Sequence, residues 1–560
     1  MAAPQGVYGL RLNTFVDSER FKRLDQLDAY ARNTQYDARK YDWNGRLRAA
    51  VGDVDIDPGW YVPMRVRKPS TVIDLPKLIT KRLGAMALGE EQWPQINCDG
   101  DVDAEDYVKT LAEVSNLHGK LQEAAERGLA CGTAVASFAY IDGKPRVSVH
   151  RAKHINVLRW ADRDEYTIGA ALKIYRYKVW GIRDGKPKEL TYYYAHYWDE
   201  QQETIWDPIP EEYARDGTWS IRVREVTAIH GHGFAPIYWT QNMPDCESED
   251  GLSAFDGMLD TFDSMNHLLS ATSKGTIANV DPTLIIHDDP GNNTGAIQKG
   301  QGNAIYSKEG AEYLEIKGTA VSTAMELLSK TVQYSLDVAG VVLGDPNKIG
   351  SQAQSAAAMR IIYMPMTNTC DILRTQYGNR FLVPLLTGML KAAKAIAAQP
   401  PGPVLTTADG RRIQEKPTVL LPPRIVTEKE PGEPPPRVDP TDPNPPATPK
   451  PGKVTKKTVP RTPGQSENIQ LRWPPYFRPT AQDTGNLVDA VVKAKGQLIS
   501  EETAVRATAQ LFDVKDVSEE VTNIQAEKAV QAAMYPDPTS FLTPTDDGAK
   551  GGKNPPEGDE

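Results

Sequence analysis

The chain has 560 residues, 64 Lys and Arg against 74 Asp and Glu, a net charge of −10 and 40% hydrophobic content. That length exceeds what one hydrophobic core fills, so several parts are expected, and the acidic balance argues against a protein that grips nucleic acid by neutralising phosphates over its whole surface, while a few placed cations can still let a polyanion pass. Cys98, Cys131, Cys246 and Cys370 stand apart without a CxxC pair, against a zinc ribbon or disulfide framework; no uninterrupted run approaches the ~20 apolar residues of a membrane span, and MAAPQGVYGLRLN lacks the basic and apolar segments of a secretory signal.

In chain order, Asp17 to Trp43 is charge-rich with spaced Phe21, Leu24, Leu27 and Tyr30, which predicts an amphipathic helix. Leu75 to Leu88 predicts a second. Tyr107, Leu111, Val114, Leu117, Leu121 and Ala125 predict one helix over Ala104 to Ala130, closed by Gly128 and Gly132. From Thr133 to Trp239 the pattern alternates and turns aromatic, with an Asp-Gly hairpin signal at Asp142 and Gly143, so a sizeable β region is expected.

The rest of the chain is organised around Gly251 to Gln352. Phe255, Met258, Leu259, Phe262, Met265 and Leu269 recur at helical steps from Leu252, and Ala324, Met325, Leu328, Val332, Leu336 and Ala339 repeat the pattern from Val321. Between them lie about forty residues with the β-type runs PTLII and AEYLEI, which gives two long helices carrying a small β insertion. After them VVLGDPNKIGSQAQS supplies glycine hinges, a rigid Asp-Pro turn and a single cation, Lys348.

Ala353 to Ala398 reads as helix with kinks at Pro365 and Pro384. Pro400 to Pro463 holds 18 of the 43 prolines, and Glu428 to Lys457 is expected to be a linker or an extended arm. NIQLRW at Asn468 is strand-like; helices return from Thr484 to Met534, with Ser500 as a helix start, before a polar tail expected to be disordered.

A search for catalysis yields little. There is no GxxxxGK[ST] loop, HExxH or GxSxG, so no cofactor is expected. His230 and His232 offer two metal ligands without an acidic partner at ligand spacing, which favours a turn. Asp256, Asp260 and Asp263 lie at i, i+4 and i+7, so all three carboxylates are expected to share one helix face. Such a face is either simply solvated, a surface that repels a polyanion, or a metal site for nuclease chemistry.

The order of parts resembles the portal, or head-to-tail connector, proteins of tailed double-stranded DNA bacteriophages. RGLACGTAVASFAYIDGKPRVSVHRAKHINVL resembles that family's helix-to-hairpin step in the wing. GHGFAPIYWTQNMPDCESEDGLSAFDGMLDTFDSMNHLLS, with its late Asn266, is similar to the entry into the first stem helix; QSAAAMRIIYMPM resembles the start of the long kinked wing helix. KGQLISEETAVRATAQLFDVKDVSEEVTNIQAEKA is similar to the crown segment.

The resemblance implies an α+β subunit with a wing at 1–249 and 353–426, stem helices at 250–275 and 319–342, and a clip at 276–318. It further implies a tunnel loop at 343–352, a proline-rich linker at 427–466, a crown at 467–535 and a tail at 536–560. Twelve such subunits would form a ring at one capsid vertex of the virion, assembled in the host cytoplasm. DNA would pass through its channel, past Gly344, Asp345, Asn347, Lys348 and Gly350 of the loop and the acidic stem face. The implied partners are a terminase large subunit docking on the clip, a head-completion or adaptor protein that replaces it, and major capsid and scaffolding proteins. No enzymatic activity, membrane or metal is expected. A metal-dependent nuclease using the three aspartates, and another phage head or baseplate protein without a channel, remain as alternatives. A stem helix of about 24 residues is roughly 36 Å long, and apolar stripes on both stem members need neighbouring subunits to cover them.

Overall fold

The computed structural model describes residues 7, 9–48, 59–183, 186–280, 284–287, 304–307, 310–313, 319–343, 356–398, 405–406, 412–413, 419–429, 454–477, 481–494, 500–508 and 517–534. The chain divides into two compact units, one of residues 1–344 with 362–476 and one of 345–361 with 477–560. Helices and mainly antiparallel strands occupy separate stretches of the first unit, an α+β arrangement.

The first unit opens with α1 (Leu12–Val16) and α2 (Glu19–Ala31). Ser18 caps α2 by accepting from the Phe21 amide at 3.2 Å, and the helix ends twelve residues before the expected Trp43, because Asn33 takes a positive φ of 55°. The helix α3 (Leu75–Leu88) and strand β1 (Gln95–Asn97) follow. The single helix expected over 104–130 is two, α4 (Val102–Val114) and α5 (Leu117–Cys131), broken where Asn116 adopts left-handed geometry at φ 49°. Apolar periodicity runs through the break because both helices face one core. Gly132, at φ 83°, ends α5 as its sequence position predicts.

Strands β2 (Thr133–Ile141) and β3 (Lys144–His150) form the expected hairpin, with positive φ at both Asp142 and Gly143. A larger antiparallel sheet comprises β4 (Ile155–Asp162), β5 (Thr167–Arg183), β6 (Lys186–Asp199), β7 (Gln202–Trp206), β8 (Ile209–Pro210) and β9 (Glu225–Ile229). The short helices α6 (Glu211–Asp216) and α7 (Trp219–Arg222) and α1 cover one face, burying Leu172, Ile174, Tyr193, Trp206 and Trp219. Ala171 and Trp198 on the other face pack against Val135 and the Ile237 and Trp239 of β10 (Ile237–Gln241), which pairs with β2. Period-two alternation thus serves two cores at once.

The stem follows. Helix α8 spans Leu259–Val280 and α9 spans Thr319–Val338. The start of α8 corrects the expected helix from Leu252: Gly257 sits at φ 75°, outside helical geometry, so Phe255 and Met258 are buried from a turn. Between the helices β11 (Leu284–His287) pairs parallel with β12 (Ala304–Ser307) and antiparallel with β13 (Gly310–Tyr313).

Downstream, α10 (Ala356–Ile362) precedes α11 (Met364–Arg374), a π-helical stretch (Thr375–Leu382) and α12 (Val383–Ala398). The expected kinks take these forms: the helices part at Tyr363, two residues before Pro365, and the π stretch precedes Pro384. By length and composition the run Met364–Ala398 could cross a membrane, which the uninterrupted-run criterion missed; half of its most apolar window is buried in the fold, including Tyr377, Phe381, Leu385 and Leu386 in the main core.

Short strands β14 (Leu405–Thr406) and β15 (Arg412–Ile413) pair with each other. Within the expected linker, β16 (Arg424–Lys429) pairs antiparallel with β17 (Val454–Val459), so the proline-rich stretch joins two strands of one ladder. A strap over 461–476 then crosses the main core. Its strand β18 (Gln470–Arg472) pairs with β1, and the Arg374 guanidinium lies 5.1 Å from the Trp473 ring and 3.7 Å from the Tyr476 ring. Arg374 also donates to the Ala87 and Pro474 carbonyls. Asp101 caps α4 and accepts the Gln465 and Ser466 amides, which hold its carboxyl down at about 2. Residues 467–476, expected in the crown, therefore belong to the first unit. In the second unit, α13 (Ala481–Ala494), α14 (Glu501–Thr508) and α15 (Val517–Met534) are the expected helices, with Ser500 accepting from the Thr503 amide at 3.2 Å.

Candidate functional site

The candidate site is the pair of long helices, α8 and α9, and the segment that braces it. On α8 the polar residues Asp263, Asn266, His267, Ser270 and Lys274 recur at three- and four-residue steps, one face of a helix. That face is docked onto the N-terminal segment. Asp263 accepts from the Tyr30 hydroxyl at 2.8 Å and the Tyr36 hydroxyl at 2.6 Å, and its other oxygen pairs with Arg39 at 3.0 Å. Burial, and then the Asp263 carboxylate, push both tyrosine hydroxyls above their usual range. Asn266 is buried, donates to the Tyr36 hydroxyl at 3.0 Å and accepts the Ile73 amide at 2.8 Å. Ser270 exchanges two bonds with the Thr71 backbone, each 3.1 Å. His267, its basicity lowered by burial and by Arg39, lies edge-on to Trp43.

The three aspartates read as one helical face are therefore separated. Asp256 lies before the helix and pairs with Arg23 at 2.8 Å. Asp263 is neutralised within its own subunit. Asp260 is exposed on the first turn, borders a groove of about 290 Å³ between α8 and α9 with Leu327 and Thr331, and makes no ion pair among the described residues. The tunnel-loop residues Gly344, Asp345, Asn347, Lys348 and Gly350 lie outside the described residues.

The opposite character belongs to α9. Leu328 and Leu336 are buried, but Leu327 is 56% exposed, Tyr334 74% and Val338 64%, with Ile277 of α8 at 65%. A second groove, about 450 Å³, runs between the helices beside Met258, Lys330 and Tyr334. The α9 surface is chiefly apolar.

Elsewhere, His230 donates from Nε2 to the Asp199 carbonyl at 3.1 Å and accepts the His232 amide on Nδ1, so both of its ring nitrogens are engaged in a turn; the His232 ring stacks on it at 4.5 Å. Among the described residues no group of three or more His, Cys, Asp or Glu is placed to hold a metal. A cavity of about 250 Å³ beside α2 and α5 is lined by Asp28, Arg32, Arg127, Arg151 and Lys153. The buried Lys153 ammonium there is satisfied by Asp25 at 2.7 Å and Asp28 at 2.6 Å. Burial raises the Asp28 carboxyl, and Lys153, Arg32 and Arg151 outweigh it, leaving a net lowering.

Sequence reasoning missed Tyr30, Tyr36, Arg39 and Ser270 as parts of the stem. The available signal was the helical period of polar residues from Asp263 to Lys274, which marks a buried polar seam as readily as a wet face.

No protein-family model and no curated relative matches the chain. Among solved structures, it is similar to a chain of the virion of a native gene transfer agent particle, at 14% identity over 56% of this chain and 76% of that one, with a TM-score of 0.28. A TM-score of that size does not establish a shared fold.

Proposed function

We propose that the chain is the subunit of a phage portal: a structural, non-enzymatic ring whose channel passes double-stranded DNA during packaging and ejection. The observation that carries this reading is the stem's asymmetry. One helix is locked by its polar seam to its own subunit, while the other leaves Leu327, Tyr334 and Val338 in water. Contiguous apolar surface on a long helix is a contact surface, and a ring of identical subunits covers it with the next stem. In this reading the β insertion between the helices docks the terminase large subunit and then a head-completion protein. The loop at 343–352 presents Lys348 to DNA, and Asp260 is a stem carboxylate left to repel phosphates.

Negative-stain imaging of the purified chain tests it: rings with a central hole are expected, and monodisperse monomers at micromolar concentration would sink the reading. Leu327→Asp should abolish ring formation, because it places a charge in a buried contact. Plasmid cleavage that needs magnesium or manganese and is lost in Asp260→Ala would favour a nuclease instead.

A further inference from the structure

The large sheet is electrically lopsided along its longest strand. Beyond the points where β4 and β8 stop pairing, β5 and β6 continue as a two-stranded ribbon from the Lys178–Thr191 pair to the Arg183–Lys186 pair, with no third strand beside it among the described residues. A lone ribbon of this kind is marginal in water unless something covers it. Its Trp180 is 75% exposed and Val179 45% exposed, and Lys188 is exposed beside them. Lys178 to Thr191 holds four basic and two acidic residues, a net +2, which leaves −12 on the rest of the chain. Lys178 and Glu189 pair within the ribbon at 2.7 Å, both partly exposed.

At the other end of β5, about 55 Å away for 17 residues of strand, the turn into β5 exposes Asp162, Asp164 and Glu165. The loop carrying exposed Glu247 and Glu249 lies against it: Trp160 donates to Glu249 at 3.2 Å, and Arg163 approaches Glu249 at 3.7 Å. Glu165 and Glu247 have no basic partner among the described residues.

We propose that the basic, aromatic ribbon of one copy docks on this acidic end of the sheet in the next copy. The inference rests on the ring reading and names its wing contact. Two complementary patches at opposite ends of one sheet let each copy offer its ribbon to one neighbour and its acidic end to the other, a head-to-tail contact of the kind that closes a ring. Trp180 supplies the apolar anchor and the charges set partner and register.

The test is a concentration series of the full-length chain by mass photometry at 0.1 M salt, with three charge variants. Lys178→Glu with Lys188→Glu, and separately Glu165→Lys with Glu247→Lys, should each raise the half-assembly concentration at least about tenfold. All four together should restore it to within about threefold of wild type. Trp180→Ser should weaken assembly while leaving its salt dependence unchanged, since no charge is altered. Circular dichroism melts check that each variant is folded. Variants that assemble like wild type, or charge pairs that weaken assembly without rescue in the combination, overturn the ribbon contact and leave the ring reading standing. A wild-type chain that stays monomeric overturns both.

Discussion

The main core of the first unit and helix α9 use similar apolar residues and bury them differently. In the main core, Tyr377, Phe381, Leu386 and Leu390 are almost wholly enclosed by α3, α4, α5 and the strap. On α9, residues at the same helical spacing alternate between buried Leu328 and Leu336 and exposed Leu327, Tyr334 and Val338. The main core is closed within the chain. Helix α9 is covered on one face only, while α8 turns its polar seam to the N-terminal segment.

This contrast can be broken or sharpened by mutation. Phe381→Ala should cost about 3–5 kcal/mol of unfolding free energy, the transfer and cavity terms of a large buried ring, measured by chemical denaturation. Asp263→Ala should cost about 2–3 kcal/mol by leaving two tyrosine hydroxyls and Arg39 without their acceptor, with Tyr36→Phe nearer 1 kcal/mol. Acid should act on the β region next. Burial holds His154 and His232 down at about 4 and His150 at about 3. The unfolded chain takes these protons near pH 6.5 and the folded one does not, so stability should fall as pH drops from about 6.5 towards 4. A melting-temperature profile in which His154→Gln loses none of that slope would remove His154 from the account. Tyr334→Ser should shift folding stability by less than about 0.5 kcal/mol yet lower ring yield in imaging. If it destabilised the monomer as much as Phe381→Ala, the contrast between the two regions would be wrong. Asp260→Asn should leave stability unchanged within about 0.5 kcal/mol.

What the sequence made legible was local. The bounds of α3, the Asp142-Gly143 hairpin, the helical start at Ser500 and the second stem helix follow from capping, turn chemistry and apolar period acting over a few residues. Three boundaries were lost to single residues, Asn33, Asn116 and Gly257, whose positive φ interrupts a pattern that buried residues continue on both sides. The acidic face failed for a different reason. Asp263 is a carboxylate on a helix until Tyr30, Tyr36 and Arg39 arrive from more than 220 residues upstream, and no local property of Asp263 announces them.

The strap that pairs β18 with β1 also sets a clock. Gln95, Ile96 and Asn97 wait for Arg472, Leu471 and Gln470, made roughly 370 residues later. At about 5–20 residues per second of synthesis, that interval is on the order of tens of seconds. Until then β1 is an open edge and Arg374 lacks its aromatic cover. The first unit therefore closes only on a chain translated past residue 476, so its completion reports that the polypeptide has been made almost to its helical C-terminal unit, and prematurely terminated chains carry an uncapped strand for quality control to find.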